Sequence, residues 1–359
     1  FDYAVVQAED ELAAIGMAVG AGWSGLRAMT STSGPGLSLM TEFAGLAYYA
    51  EVPLVVWDIQ RIGPSTGLPT RTSQADLTFA NAIGHGDSET IILLPGNINE
   101  CFDFGWQSFD IAERLQTPVF VLSDLDMGMN QWMSKPFEYP DQPMDRGKVL
   151  WEKDLEELKG NWARYLDKDG DGIPYRTLPG NKHPLGSYFT RGTGHDEQAR
   201  YTEDNVVFQR NMERLKKKFV TAKEYLPKCV TYTTEGATIG IIAYGSTEAA
   251  INEARVQLEK DHDTKTSFLR VRATPFTHDV DDFVHAHDVI YVVEMNRDGQ
   301  LHKLLTLAFP EAAMRLISVA FGDGMPASAK WVREGILAKA NGHQPVPVAA
   351  NNGSKGTNL

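Results

Sequence analysis

Cysteine is almost absent from this chain of 359 residues. Only Cys101 and Cys229 occur, far apart, with no second cysteine near either. A four-thiolate zinc or iron–sulfur site within the chain is therefore excluded. Two distant thiols also argue against a disulfide framework, which predicts a protein of the reducing cytoplasm.

Basic residues and long apolar runs are scarce as well. The chain has 34 Lys and Arg against 47 Asp and Glu, for a formal net charge of −13 at pH 7. This balance argues against nucleic-acid binding, which needs a basic face. No apolar run approaches the ~20 residues of a membrane-spanning helix. Neither nucleic acid nor a membrane is therefore an expected partner. The length of the chain and its hydrophobic content of 42% predict a core large enough for two domains.

Residues 1–134 alternate short apolar runs with segments in which apolar residues recur at helical spacing. Strands buried on both faces and joined by helices predict an α/β fold with a doubly wound parallel sheet. The predicted strands are Ala4–Gln7, Leu26–Thr30, Leu54–Ile59, Glu89–Leu94 and Pro118–Leu122, and the predicted helices are Glu11–Ala21, Leu37–Tyr49, Gln74–Ala82 and Glu100–Leu115.

Three further regions follow. Residues 135–230 are rich in Pro, Gly and charge and predict an irregular connector with one charged helix, Asn205–Lys223. Residues 231–340 return to strand–helix alternation and predict a second, smaller α/β domain. Residues 341–359 lack periodicity and predict a mobile tail, while the absence of an initial Met predicts that a leading segment is missing. The elements predicted in the second domain are strands Thr238–Ala243, Thr266–Val271, Asp288–Glu294 and Arg315–Val319 and helices Thr247–Lys260, Asp279–Ala286 and Leu301–Leu307.

Two motifs imitate ligand sites. Gly20, Gly22 and Gly25 match a dinucleotide-binding pattern, but a helix precedes them and a strand follows, the reverse of the required order, so we predict a helix C-cap and a turn. The segment Asp167–Gly172 resembles the start of a calcium loop, but Leu178 replaces the bidentate glutamate, so a solvated turn is favoured over a weak ion site.

Two other groups of charged residues have simple explanations. The basic run Arg214–Lys218 predicts a solvated helix face. His183 and His195 lie in one loop without the spacing of zinc ligands.

Glu11 opens a segment so rich in small and apolar residues that we predict a buried helix. A carboxylate at such a helix start is stabilised by the helix dipole and disfavoured by desolvation, which suits a functional acid. The alternative is an ordinary charge at a helix N-terminus, a role that Glu9 and Asp10 could also fill.

Two loops at predicted strand ends carry ligand-binding chemistry. Residues 30–36 combine hydroxyl groups with two glycines and a proline before a helix, which suits a ligand at the carboxyl end of a parallel strand, or equally a plain capping turn. Residues 61–72 place Arg61 among threonines, a combination typical of carboxylate recognition, although Arg61 could instead be a surface residue.

Several segments resemble the α subunit of 2-oxoacid:ferredoxin oxidoreductases, and within that family the 2-oxoglutarate-type branch. The resemblance covers nearly the whole chain up to about residue 340, with the motifs in the family's order. The segments are Glu9–Ala21, Thr32–Glu42, Gly63–Leu77, Pro118–Val119 with Ser123–Asp124, Arg146–Gly147, Pro179–Gly180, Gly194–Glu197, Ala243–Ser246 and Glu294–Leu301.

The resemblance implies a thiamine-diphosphate enzyme, with a pyrimidine-binding domain followed by a smaller domain similar to the C-terminal domain of transketolase. Glu11 matches the glutamate that hydrogen-bonds the aminopyrimidine ring of the cofactor. A carboxyl group held in an apolar site can share a proton with the ring nitrogen and so favour the tautomer that activates the cofactor. Ser33 and Gly34 match the loop that borders the cofactor.

The resemblance also implies the substrate and the partners. Arg61 matches the arginine that binds the substrate carboxylate, and Thr66 and Thr70 match positions that line the same pocket. The implied reaction is coenzyme A-dependent oxidative decarboxylation of a 2-oxoacid, with electrons passed to ferredoxin, or the reverse carboxylation. A separate β subunit is expected to bind the diphosphate half of the cofactor with Mg²⁺ and to carry the [4Fe-4S] cluster, so no metal site is expected in this chain.

One substrate contact of the family cannot be assigned to a residue here, because the family's Tyr-Pro-Ile-Thr-Pro motif, whose threonine contacts the substrate, precedes the first residue of this sequence. A further domain that many relatives carry is absent too. Three alternatives stay open at this point: the same chemistry on pyruvate or branched-chain 2-oxoacids, a non-catalytic assembly subunit with the thiamine fold, and, less favoured, a nicotinamide dehydrogenase. The joint presence of Glu11 and Arg61 favours a catalytic subunit.

Overall fold

The computed structural model describes residues 3–340, so the predicted tail at 341–359 lies outside the described residues. Its helices are α1 Glu11–Trp23, α2 Gly34–Leu39, α3 Thr41–Ala50, α4 Leu77–Asn81, α5 Ile98–Leu115, α6 Leu125–Met129, α7 Glu152–Leu158, α8 Asn205–Ala222, α9 Glu248–His262, α10 His278–Ala286, α11 Gln300–Ala308 and α12 Ala329–Ala340. Its strands are β1 Met29–Thr32, β2 Leu54–Ile62, β3 Leu68–Thr72, β4 Ile91–Leu93, β5 Pro118–Asp124, β6 Val230–Tyr232, β7 Ile239–Tyr244, β8 Thr266–Val271, β9 Ala273–Thr274, β10 Val289–Glu294 and β11 Leu316–Ala320.

The first sheet has the strand order β1-β2-β5-β4-β9, with β3 folded back on β2. The first four strands of that order are parallel, whereas β9 pairs with β4 in the antiparallel sense. Every residue of β5 is buried, as expected of a central strand covered by helices on both faces. The α/β fold predicted from the alternating pattern is confirmed.

The second sheet has the order β11-β10-β7-β8-β6, and only the edge strand β6 is antiparallel. Its central strands β7 and β10 are almost fully buried. Strand β9, which follows β8 directly along the chain, belongs to the other sheet, so a segment from the second half completes the first.

Two local predictions are wrong. Residues Ala4–Gln7 form no strand: their side chains are exposed, and no neighbouring strand within residues 3–340 supplies the hydrogen bonds that β-prone residues need. The helix predicted at Leu37–Tyr49 begins earlier, at Gly34, because Pro35 is tolerated in a first turn. It is also broken at Met40, where α2 ends and α3 begins.

Helix α1 departs from the prediction in another way. It packs on α3, β1 and β2 with one side, where Ile15, Ala18 and Val19 are buried. Its other side leaves Met17 51% exposed and Leu12 39% exposed. The prediction of a buried helix is therefore wrong, because the described part of the chain covers only one side of it.

Three apolar cores hold these layers together. The first joins residues of both sheets, such as Val56 and Ile242. The second covers the other face of the first sheet with α5 and α8, where Phe219 is buried against Tyr48. The third lies under α9 and α12 on the second sheet. Helix α8, predicted inside the connector, thus packs on the first sheet.

The prediction that the basic run on α8 is a solvated face is correct for Lys216 and Lys217, which are exposed, and wrong for the two ends of the run. Arg214 and Lys218 are buried and form ion pairs with the carboxylate of Glu51, which follows α3; Lys218 Nζ lies 2.9 Å from Glu51 Oε2. Arg164 donates a hydrogen bond to the Glu51 carbonyl at 2.9 Å. We call Glu51, Arg164, Arg214 and Lys218 the Glu51 cluster. It ties the connector to the first sheet.

None of the helices between residues 3 and 340 combines the length and the apolar character needed to cross a bilayer.

Candidate active site

The carboxyl ends of β1 and β2 form the edge of the first sheet to which the predicted site residues belong. The two strands are parallel neighbours, and Thr32 at the end of β1 pairs with Asp58 on β2. Arg61 lies three residues after Asp58 on β2, and residues 33–36 leave the end of β1. Ligands of open α/β sheets bind at this edge.

Glu11 is not the residue that caps α1. Asp10 is the N-cap, and its side chain accepts a hydrogen bond from Ala13 N at 2.8 Å. The Glu11 carboxylate forms no hydrogen bond or ion pair with a residue between 3 and 340, and its side chain is half-buried. Asp10 therefore caps the helix, whereas Glu11 is the acidic residue of its first turn and has no hydrogen-bond partner among residues 3–340.

Gly36 allows the loop at residues 33–36 to pack against Glu11. A Cβ atom at Gly36 would lie 2.0 Å from Thr32 Oγ1 and 2.8 Å from Glu11 Oε1. Both distances are far below van der Waals contact, so any larger residue would push the loop away from Glu11. The glycine in this loop thus serves a close approach, rather than only a turn.

Ser33 and Gly34 lie on the other side of the same loop. Ser33 is the N-cap residue of α2, but its side chain forms no capping hydrogen bond. A Cβ atom at Gly34 would lie 2.9 Å from Asp76 Oδ1. The loop is therefore held between the carboxyl groups of Glu11 and Asp76.

Arg61 carries a positive charge without a partner among the described residues. Its guanidinium forms no hydrogen bond or ion pair within residues 3–340, and its Nε is buried. A buried donor without a partner costs free energy, which an anionic ligand would recover. The geometry favours a carboxylate-binding role for Arg61 over that of an ordinary surface arginine.

Thr66 and Thr70 lie on the β2–β3 hairpin, and both are exposed. Arg61 pairs with Thr72 and Ile62 with Leu68, and the register shifts between these two pairs. Thr70 therefore lies in the irregular stretch of β3 between Leu68 and Thr72. The turn needs Gly67, where a Cβ atom would lie 2.2 Å from Ile62 O. The structure brings the hairpin to the same sheet edge but shows no contact of either threonine with Arg61.

Asp58 and Asp76 are the site residues that the sequence analysis missed. Asp58 is fully buried, neither of its carboxyl oxygens has a hydrogen-bond donor among residues 3–340, and the carboxyl group of Asp76 is its close charged neighbour. Burial, followed by the charge of Asp76, raises the pKa of Asp58 well above its usual value. Burial also raises the pKa of Asp76, to about 6, against the opposing effects of Asp58 and Arg61. An aspartate within the otherwise apolar strand Leu54–Ile59 is the signal that could have revealed this pair.

Residues from the second half of the chain form hydrogen bonds with Gln74 and Asp124, two residues of the first half close to the site. Gln74 Nε2 donates to Tyr244 O at 2.8 Å, and Met295 N donates to Gln74 Oε1 at 2.9 Å. Ser246 Oγ donates to Asp124 Oδ2 at 2.8 Å. Burial raises the pKa of Asp124 to about 6. The contacts of Gln74 fix the segment that leads to Asp76.

The glycine motif behaves as the sequence analysis predicted, as a helix end and a turn. Gly20 and Gly22 lie inside α1, and Gly25 follows its C-cap with a φ of +85°. In the calcium-like turn, Lys148 Nζ lies 2.7 Å from Asp169 and 2.8 Å from Asp171, so an ammonium group takes the place of an ion. Among residues 3–340, no group of His, Cys, Asp and Glu side chains is arranged to hold a metal.

Comparison with known proteins identifies the family of the segment that contains these residues. The family model described as pyruvate flavodoxin/ferredoxin oxidoreductase, thiamine diP-bdg, matches residues 1–155. These residues contain the first sheet apart from β9, together with Glu11, Arg61, Asp58 and Asp76.

Curated relatives match most of the chain. The 2-oxoglutarate synthase subunit KorA of Methanothermobacter thermautotrophicus is 32% identical over 322 residues, covering 89% of this chain and 82% of that protein. The 2-oxoacid:ferredoxin oxidoreductase 2, subunit alpha, of Aeropyrum pernix is 37% identical over 309 residues, covering 84% of this chain and 46% of that protein. The chain therefore spans about half the length of relatives of the second kind.

A solved structure matches the whole arrangement. The 2-oxoglutarate:ferredoxin oxidoreductase from Magnetococcus marinus, solved with 2-oxoglutarate, coenzyme A and succinyl-CoA bound, has a TM-score of 0.82 and 30% sequence identity. The match covers 93% of this chain and 57% of that one. The resemblance drawn from the motifs is confirmed, and the chain belongs to the family of 2-oxoacid:ferredoxin oxidoreductase α subunits.

Proposed function

We propose that this chain is the α subunit, or the catalytic part of one, of a 2-oxoacid:ferredoxin oxidoreductase. Its reaction is the coenzyme A-dependent oxidative decarboxylation of 2-oxoglutarate to succinyl-CoA, with electrons passed to ferredoxin, or the reverse carboxylation. The observation that carries the proposal is a pair of charged groups without partners among residues 3–340: the carboxylate of Glu11, at the start of α1 against the loop that leaves β1, and the guanidinium of Arg61, near the end of the neighbouring strand β2.

The residues present suit thiamine diphosphate. Gly36 leaves the loop close enough to Glu11 to form one narrow wall, and Ser33 and Gly34 continue that wall. The cofactor, when bound, supplies the carbon nucleophile and the electron sink for decarboxylation. Glu11 would hold a proton at a nitrogen of its pyrimidine ring, and the apolar surroundings of Ile15 and Leu37 would limit competing water.

Arg61 would bind a carboxylate of the 2-oxoacid through its fork of N–H groups, which gives the charge-assisted contact that orients the substrate. Thr66 and Thr70 would add hydroxyl groups from the hairpin. A dicarboxylate such as 2-oxoglutarate makes the better use of these additional donors, which is why we favour it over pyruvate and branched-chain 2-oxoacids.

The proposal includes a β subunit. That partner would hold the diphosphate with Mg²⁺ and the [4Fe-4S] cluster, because two separated cysteines cannot bind a cluster here. The exposed side of α1, with Leu12 and Met17 beside Glu11, suits burial against this partner. Part of the proposal is a cytoplasmic location, since Cys101 and Cys229 are both unpaired.

The test is an activity assay on the chain co-expressed with its β subunit. We expect reduction of ferredoxin that depends on both 2-oxoglutarate and coenzyme A, with pyruvate and a branched-chain 2-oxoacid as comparison substrates. A clear preference for either comparison substrate would overturn the assignment to 2-oxoglutarate alone. NAD reduction without the cluster subunit, or a stable complex that binds thiamine diphosphate but turns over no 2-oxoacid, would overturn the proposed activity.

A further inference from the structure

Asp58 is a buried acid without a cation. It lies on β2 between Thr32 of β1 and Leu122 of β5, and its side chain is inaccessible to solvent. Neither carboxyl oxygen accepts a hydrogen bond from an N–H group or a hydroxyl within residues 3–340. A buried carboxylate with no donor is strongly disfavoured, so this group needs a proton.

Asp76 is the group that can share that proton. Its carboxyl meets that of Asp58, and its backbone N–H donates to Gln60 Oε1 at 3.2 Å, which fixes it above β2. Asp76 Oδ1 also lies beside Gly34, where it occupies the space that a Cβ atom would need. A protonated Asp58 can therefore donate to an ionised Asp76, and Asp76 in turn borders the loop that packs against Glu11.

Other titratable groups lie on the neighbouring elements. Arg61 lies on the same strand, Glu11 on α1, Asp124 at the end of β5 and Tyr244 at the end of β7. Arg61 stabilises the ionised form of Asp76 through space, but no ion pair joins them. With two carboxyl groups, a neutral tyrosine and only one cation on these elements, a second negative charge on the pair would be costly.

We propose that Asp58 and Asp76 hold a single proton between them and act as positioning residues for Arg61 and for the loop at residues 33–36. The neutral Asp58 fixes the carboxylate of Asp76. That carboxylate holds the loop in place and leaves Arg61 with enough positive charge to attract the carboxylate of a 2-oxoacid. The last step rests on the proposed function, whereas the shared proton does not.

Loss of the shared proton gives a specific kinetic signature. Two negative charges beside Arg61 would repel an incoming carboxylate, so the KM for the 2-oxoacid should rise at alkaline pH on the order of tenfold. The kcat should change much less, since the role proposed for the pair is to position Arg61 and the loop and not to take part in the chemical step. Asp58→Asn replaces the donating hydroxyl by a permanent amide donor, so its KM should stay low and flat across the same pH range.

Infrared difference spectroscopy of the complex, with ¹³C-aspartate in this chain, tests the proton without any turnover. We expect a protonated carboxyl band at pH 7 that shifts in D₂O, disappears in Asp58→Asn and persists in Asp76→Asn. At pH 7 the contribution of Asp124 is reduced, because its pKa is about 6. Absence of the band from the wild type, or its retention in Asp58→Asn, would overturn the proposal, and the wild-type spectrum decides even where a variant fails to fold.

The kinetic and spectroscopic results separate the two proposals. A shared-proton band in a complex that oxidises no 2-oxoacid would refute the proposed function and leave the shared proton established. A band accompanied by the same rise of KM with pH in wild type and Asp58→Asn would refute the positioning role. A band together with a rise of KM that Asp58→Asn abolishes is the result we expect.

Discussion

The two ends of β2 carry buried acids in opposite electrostatic settings. Before the strand, Glu51 is surrounded by Arg164, Arg214 and Lys218. Near its other end, Asp58 has only another carboxyl group, that of Asp76, as its close charged neighbour. The acid before β2 is therefore neutralised by neighbouring cations, whereas the acid within β2 has no cation beside it.

The pKa values express this difference. Burial alone would raise the pKa of Glu51, but Arg214 and Lys218 outweigh it and lower the pKa to about 2. Burial raises the pKa of Asp58 with no cation to oppose it. Buried charges that are paired within the fold tie segments together, whereas groups left without a partner at a sheet edge are available to a ligand. We expect substitutions at the first end to affect folding and those at the second to affect activity.

The largest effect expected is that of Glu11→Gln on turnover. A glutamine cannot hold or transfer the proton, so kcat should fall by about 10²–10⁴-fold. Because Glu11 has no partner within residues 3–340, the free energy of unfolding and assembly with the β subunit should not change. Steady-state kinetics and size-exclusion chromatography measure the two quantities. Glu9→Gln, at an exposed neighbour, is the matched control, and equal rates for both variants would remove Glu11 from the mechanism.

Glu51→Gln should have the opposite profile. It leaves buried cations without their counter-charge, which costs about 3–5 kcal/mol of unfolding free energy. Urea denaturation at neutral pH measures this loss. The control is Glu197→Gln, which breaks the exposed pair with Arg210 and should cost about 0–1 kcal/mol. Similar losses of unfolding free energy in the two variants would show that the Glu51 cluster stabilises the fold no more than an exposed ion pair does.

Arg61→Ala should weaken substrate binding without unfolding the chain. Loss of a charge-assisted contact is worth about 1.5–3 kcal/mol, so the KM for 2-oxoglutarate should rise roughly 10- to 100-fold. Arg71→Ala, on the same hairpin but exposed, should leave the KM near the wild-type value. If the two substitutions raise the KM equally, the carboxylate is bound elsewhere.

The smallest effect expected is on the pH dependence of stability. The raised pKa values of Asp58 and Asp76 stabilise the fold fully below the unfolded value of about 3.8, and this contribution is lost as the pH rises through about 6 and beyond. The lowered pKa of Glu51 acts in the reverse sense, since its contribution is present above about 4.5 and is lost as the pH falls towards 2.

Urea denaturation of the wild type and Asp58→Asn at several pH values isolates the contribution of the pair. The decline in unfolding free energy between pH 5 and pH 8 should be shallower in the variant. Asp124 and Glu294 also have raised pKa values, so only the difference between the two proteins is informative. Parallel curves would contradict the assignment of a raised pKa to Asp58.

Local pattern was sufficient for most of the fold. The strands at Leu54–Ile62 and Pro118–Asp124 lie close to their predictions, because an apolar run between helices has few alternatives to a buried parallel strand. Pattern failed where an element depends on a neighbour. Ala4–Gln7 lacks a pairing strand among the described residues, and the two residues of β9 acquire their role only beside β4.

The candidate site was predictable by residue type but not by arrangement. Glu11 and Arg61 stood out because charged groups beside apolar helices and strands need an explanation. Asp58 escaped notice although it breaks an apolar strand, and Arg214 and Lys218 were misassigned to a solvated face. A run of basic residues is the same in sequence whether it faces water or a buried carboxylate such as Glu51.

The sequence by itself determined the α/β class, the family and the absence of a cluster site, because periodicity, ordered motifs and a count of two cysteines are local properties. Only the tertiary structure decided which charges are compensated. The Glu51 cluster and the pair Asp58–Asp76 differ in the residues that folding brings beside them, from α8 in one case and from the segment after β3 in the other. The energy of a charge depends on what surrounds it, and those surroundings are set by contacts between residues far apart in the chain.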